Sequence, residues 1–170
     1  VGASAYILKE NAAEELTETI YKITNSKKFI APGYPSNIIE QLEFKQQISS
    51  QEKIAKTLSA FANSKGGTVV IGVSDQRKII GIDPDEERYM VAAANDNFCI
   101  PKVSLEYHVI KINSEKDQGE EKMVLLIEVH TTLGPQIFVR LKNGSLKAFT
   151  RIGNQSLVVN STSTSLDKLE

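Results

Sequence analysis

The stretch Lys56-Thr-Leu-Ser-Ala-Phe-Ala-Asn63-Ser-Lys-Gly66-Gly67-Thr-Val-Val-Ile-Gly-Val-Ser-Asp75 carries the strongest structural signal in the chain. Its first half is helical: Ile54, Leu58, Phe61 and Ala62 fall on one face, the pattern of a helix turned toward a core. Ser49 with Glu52 three residues on has the form of a capping box and predicts the helix start. The pattern stops at Asn63-Ser64-Lys65-Gly66-Gly67, where glycine supplies a left-handed stop. Thr68 to Ser74 is then a β-branched run, the signature of a buried central strand. Asn63, Gly66, Gly67 and Gly72 form the structural motif of this unit.

Working outward, Ile39 to Gln46 alternates loosely and predicts a short strand carrying Glu43-Phe44-Lys45. On the other side Asp75 to Lys78 turns the chain, and Ile79-Ile80-Gly81-Ile82 is expected to return as a hairpin partner. Asp83-Pro84 opens a second helix, with Asp85, Glu86 and Glu87 complementing its dipole. Four strands are expected after it: Val103–Ile112, Lys122–Val129, Gln136–Leu141 and Ser145–Thr150. Asn113 to Glu121 is a polar loop, and Lys142-Asn143-Gly144 a hairpin turn tolerant of positive φ. The order predicts an α+β fold, mixed β-sheets packed on two or three helices. Leu16, Ile20 and Ile23 stripe a helix over Ala12–Ile23, so residues 1–36 read as an N-terminal helical arm. Residues 37–160 form the domain, and the Ser/Thr-rich 161–170 a loose tail.

Composition narrows the class. A hydrophobic fraction of 41% against 24% charged residues supports one packed core and excludes a disordered chain. No run approaches the ~18 apolar residues of a membrane span. Cys99 is the single cysteine, so no internal disulfide forms, which favours a reducing, cytoplasmic setting. The start at Val1, without a basic-then-apolar leader, reads as a piece of a longer chain.

Net charge is −1, yet the charges are unevenly placed. Lys45, Lys53, Lys56, Lys65, Arg77 and Lys78 face only Glu52 and Asp75 in their stretch, and Arg140, Lys142, Lys147 and Arg151 face no acid in theirs. Folded side by side, these stretches would give a near-neutral protein one cationic face. Scattered solvated lysines are the plain alternative.

Most chemical motifs fail on spacing. Lys65-Gly66-Gly67-Thr68 is not a phosphate loop, because the order is helix, loop, strand, and a helix C-terminus repels phosphate. The acids at Asp83 to Glu87 lack the pattern of an EF-hand and suit a helix start. His108 and His130 each fall in a strand, with no Cys or second His at ligand spacing, so no metal site is predicted. Cys99 reads as a structural thiol. Glu43 and Asp75, at the ends of two β segments, are the remaining pair able to hold a divalent metal against a phosphodiester.

Glu43-Phe44-Lys45, the Lys56–Asp75 stretch, Ile80-Gly81-Ile82, Gly134-Pro135, Val139-Arg140 and Thr150-Arg151-Ile152-Gly153-Asn154-Gln155-Ser156 together resemble the Schlafen AlbA-type family over roughly Ile39 to Asn160. Bacterial members are usually labelled DNA-binding domains of transcriptional regulators, and the family has also been labelled a divergent ATPase domain. The resemblance implies a cytoplasmic nucleic-acid-binding module, DNA favoured over RNA, with no cofactor, no membrane association and a possible homodimer. Lys45, Lys53, Lys56, Lys65, Arg77, Arg140 and Arg151 would grip phosphate. Some Schlafen proteins are endoribonucleases using three carboxylates. Two would map onto Glu43 and Asp75, the third position is Ile38, and Glu40 lies nearby at another offset; such an enzyme would need Mg²⁺ or Mn²⁺. A protein-interaction or oligomerisation module is the further alternative.

Overall fold

A computed structural model describes residues 41–76, 78–113 and 121–159. The arm at 1–36, Glu40, Arg77, the interior of the Asn113–Glu121 loop and the tail at 161–170 lie outside the described residues.

In chain order the elements are β1 (Leu42–Lys45), α1 (Gln51–Ala62), β2 (Gly67–Ile71), α2 (Pro84–Phe98), β3 (Cys99–Ile100), β4 (Leu105–Asn113), β5 (Glu121–Val129), β6 (Phe138–Arg140), β7 (Leu146–Ile152) and β8 (Gln155–Val158). They form two four-stranded sheets, β1-β2-β5-β4 and β3-β6-β7-β8, so the α+β class holds. β1 and β2 are parallel, with Glu43 opposite Val69 and Lys45 opposite Ile71. A tight turn cannot join parallel neighbours, and α1 is their crossover. β2 pairs with β5 on its other side, which makes the β-branched run a central strand, as its composition predicts.

α1 lies between the sheets and is satisfied by both. Its Ile54, Leu58 and Phe61 are fully buried and join Val69, Ile71, Leu125 and Ile127 in one core. Phe61 presses so close to β2 that a Cβ on Gly67 would lie 2.6 Å from the ring. The other flank of α1 is polar and latched to the second sheet. Asn63 donates to the carbonyls of Ile137 (2.8 Å) and Phe149 (2.9 Å) and accepts the Ile137 N–H at 2.8 Å. Ser59 donates to the Ile137 carbonyl at 2.9 Å. Apolar side chains from the far face of the first sheet, Val70, Ile110, Ile112, Val124 and Leu126, make a second buried cluster with Leu42 and Phe44 packed against it.

Three expectations are corrected. The α1 cap is Ser50, not Ser49: the Ser50 hydroxyl accepts the Lys53 N–H at 3.3 Å, and Glu52 is left free for other partners. Ile79–Ile82 is no strand but a single bridge, Val73 to Ile79. The reason is local: the N–H groups of both Ile80 and Gly81 turn to the Gly72 carbonyl, and Ile82 pairs with Met123 instead. Among the described residues six strands, not four, follow α2, because the short β3 and β8 extend the second sheet. The second helix begins as read, with Asp83 accepting the N–H groups of Asp85 and Glu86.

Candidate nucleic-acid interface

Strand alternation sends Glu43 and Lys45 to the α1 side of β1 and Phe44 to the other. Glu43 is there enclosed by donors. Its Oε1 meets Lys45 Nζ at 2.6 Å and the Thr57 hydroxyl at 3.4 Å, and its Oε2 meets an Arg151 guanidinium nitrogen at 2.7 Å. The Arg151 side chain is only 4% exposed, its guanidinium 4.7 Å from the Phe61 ring centroid and 3.4 Å from the Ser156 hydroxyl. Residues 108 positions apart thus tie the first sheet to the second.

A second carboxylate joins the two basic stretches. Glu52, on the first turn of α1, takes Lys56 Nζ on Oε1 at 2.7 Å and the Lys142 backbone N–H on Oε2 at 2.8 Å. The Lys56 hydrogen bond, then the Lys142 one, hold its carboxyl below the usual carboxylate range. Lys56 Nζ also stands 5.8 Å from the Phe149 ring centroid. On β7, Lys147 pairs with core-facing Val139, so Lys147, Phe149 and Arg151 line the α1 side of the strand.

These contacts run in register along α1. Glu52 meets the β6–β7 turn, Lys56 meets Phe149, and Ser64 accepts the Arg151 N–H at 2.9 Å. Exposed Lys53 and Lys65 mark the two ends of the helix, and exposed Lys142 and Lys147 flank its start. Arg140 stands apart: it pairs with Leu146, one residue out of phase with Val139, and points from the opposite face of the sheet. The sequence places Lys142 and Lys147 in a basic stretch but not among the phosphate contacts, and it reads Glu52 only as a capping-box acid. The signal that could have found the lysines is their place in an acid-free stretch; only the register reveals the role of Glu52.

Asp75 is exposed in the turn beyond β2 and makes no hydrogen bond or ion pair among the described residues. Glu43 is already shared by two cations, so the Glu43 environment carries net positive charge and repels Mg²⁺ or Mn²⁺. Cys99 is buried, its thiol pushed up to about 12 by desolvation, which makes it an inert structural group.

Fold and surface define a two-sheet α+β module that carries lysines along one helix and its neighbouring hairpin. Residues 39–160 match the family model described as Schlafen, AlbA_2, and the chain belongs to that family. Membership ties the domain to nucleic acid in general. No curated protein matches the chain. Among solved structures it is similar to the DIP2311 protein from Corynebacterium diphtheriae, at 19% identity and a TM-score of 0.47, over 88% of this chain and 27% of that one. No helix among the described residues is long and apolar enough to cross a membrane.

Proposed function

We propose that the domain grips the phosphate backbone of nucleic acid, duplex DNA ahead of RNA, as the binding module of a transcriptional regulator. The observation that carries this reading is the Glu52 bridge, which holds the Lys53–Lys56 turn of α1 against the Lys142–Lys147 hairpin. Lys45, Lys53, Lys56, Lys65, Lys142 and Lys147 supply the contacts. Arg151 acts from beneath, sharing Glu43 with Lys45, so that two cations meet one carboxylate. α1 has twelve residues and is about 18 Å long, which matches about five base pairs of duplex. A grip of four or five phosphates follows from that length, and it reads no base edges.

Fluorescence anisotropy with labelled duplex DNA and hairpin RNA, over a range of salt with and without Mg²⁺, tests this. The expected log–log salt slope is about −4, near 0.9 per phosphate contacted. Lys56→Glu and Lys147→Glu should each weaken binding about tenfold, to the same extent on unrelated sequences. Salt-independent binding, or full affinity in both variants, overturns the grip. RNA cut only with Mg²⁺, and left whole by Glu43→Ala, replaces it with the ribonuclease.

A further inference from the structure

On the face of the first sheet turned away from α1, β4 and β5 bring together four side chains that linear spacing keeps apart. Glu106 on β4 lies directly opposite Glu128 on β5. His108 is two residues along β4 on the same face, and His130 follows β5, its N–H held by the Ser104 carbonyl at 3.1 Å. One donor atom each from Glu106, His108 and Glu128 lie within 4.8 Å of one another.

Two features of this cluster are unexplained by the protein alone. Like charges directly opposite across a ladder destabilise a sheet. Among the described residues, His108 Nε2 and Glu128 Oε2 are also buried atoms without a hydrogen-bond partner, which polar atoms ordinarily find. Glu106 Oε2 lies 3.9 Å from His108 Nε2, too long for a hydrogen bond. A divalent cation among the three answers both features at once, since it balances two carboxylates and takes the idle lone pairs.

We propose that Glu106, His108 and Glu128 form a binding site for a divalent transition-metal ion of the Zn²⁺ class. An imidazole nitrogen with two carboxylate oxygens suits Zn²⁺ or Mn²⁺, whereas Mg²⁺ prefers oxygen and water alone. Metal–donor distances of about 2.0–2.2 Å require the donors to draw in to about 3.4 Å from one another. Partly exposed side chains at the sheet surface can make that move. His130 is the positioning residue. Its Nε2 sits 3.2 Å from Glu106 Oε1, which leaves Oε2 turned toward His108.

The site stands one rung from the open end of the β4–β5 hairpin, Leu105 opposite Val129, and far along the ladder from the Asn113–Glu121 turn. β4 is the edge strand of its sheet among the described residues. A bound ion would therefore staple that end of the strand pair, and it would do so independently of the lysine surface on the other face.

The test uses the full 170-residue chain, stripped with a chelator and titrated with Zn²⁺ in competition with a chromophoric chelator. One ion per chain is expected, not displaced by excess Mg²⁺, and Co²⁺ in its place should give a visible absorption band. Zn²⁺ should raise the unfolding midpoint of the parent chain. His108→Ala and the isosteric Glu128→Gln should each weaken uptake more than tenfold, and His130→Ala about tenfold. Circular dichroism in chelator confirms that each variant is folded, and Glu128→Gln decides the matter if His108→Ala is not. No stoichiometric uptake, or uptake unchanged in both ligand variants, overturns the site.

Discussion

Glu43 and Glu128 occupy neighbouring rungs of one sheet and lead opposite lives. On β2, Val69 pairs with Glu43, and the adjacent Thr68 pairs with Glu128, so the two carboxylates leave the sheet on opposite faces. Glu43 meets Lys45, Thr57 and Arg151. Glu128 keeps one buried oxygen without a partner among the described residues, and burial, followed by the opposing pulls of His130 and Glu106, raises its carboxyl above the usual range. A carboxylate that finds donors from three elements becomes part of the frame. One that finds an opposing carboxylate is poised for something from outside the chain.

The largest break in this contrast comes from Arg151→Ala. It strips a nearly buried guanidinium from Phe61 and leaves Glu43 with Lys45 and Thr57, so unfolding free energy should drop by about 3 kcal/mol. Denaturant unfolding checks this. Arg151→Lys should recover less than half of the loss, because an ammonium cannot reproduce a stacked planar guanidinium. In chelator, Glu128→Gln should cost nothing by the same measurement, since its Oε2 has no partner to lose. Equal losses at the two sites would erase the distinction.

Asn63→Ala sharpens it at the next step down. Asn63 is a neutral counterpart of Glu43, joining α1 to β6 and β7 through the Ile137 N–H and the Ile137 and Phe149 carbonyls. Losing these bonds while leaving their backbone partners in a part-buried seam should cost about 2 kcal/mol. The loss should fall entirely on stability, with the salt slope for nucleic acid unchanged. A change in that slope would mean that the seam, and not the lysines, sets the binding surface.

How far the sequence foretold these regions follows from the range of each interaction. Thr68–Ile71 announces a central strand through its own β-branched residues, and Asp83-Pro84 announces a helix start through contacts two and three residues away. Ile79–Ile82 misleads because an apolar alternation is written there, while the Gly72 carbonyl, seven residues upstream of Ile79, captures the backbone groups a partner strand would need. Arg151 reads as a surface cation from its neighbours, and only a partner 108 residues away buries it. His108 and His130 look unrelated at a spacing of 22, until the register sets their strands side by side. Local physics is legible in the chain; pairing across it is not.

A small shift, with a pH dependence of its own, is expected at Glu87, a carboxylate between the two extremes. It is buried at the start of α2 and accepts one hydrogen bond, from the Ile48 N–H at 2.9 Å. Burial raises its carboxyl above 4.5; the Ile48 bond pulls it down and Glu86 pushes it further up. The folded chain therefore holds this proton at a pH where the unfolded chain has released it. Stability must then fall as pH rises from about 4.5 through the raised value, and the deficit persists at neutrality. Glu87→Gln keeps an acceptor for Ile48 and removes the charge. Its unfolding midpoint at pH 7 should lie slightly above that of the parent chain, and the gap should close below pH 4.5. A variant less stable at pH 7 than at pH 4, relative to the parent, would show that the Ile48 bond outweighs desolvation. Glu87 would then belong with Glu43 among the fully satisfied carboxylates.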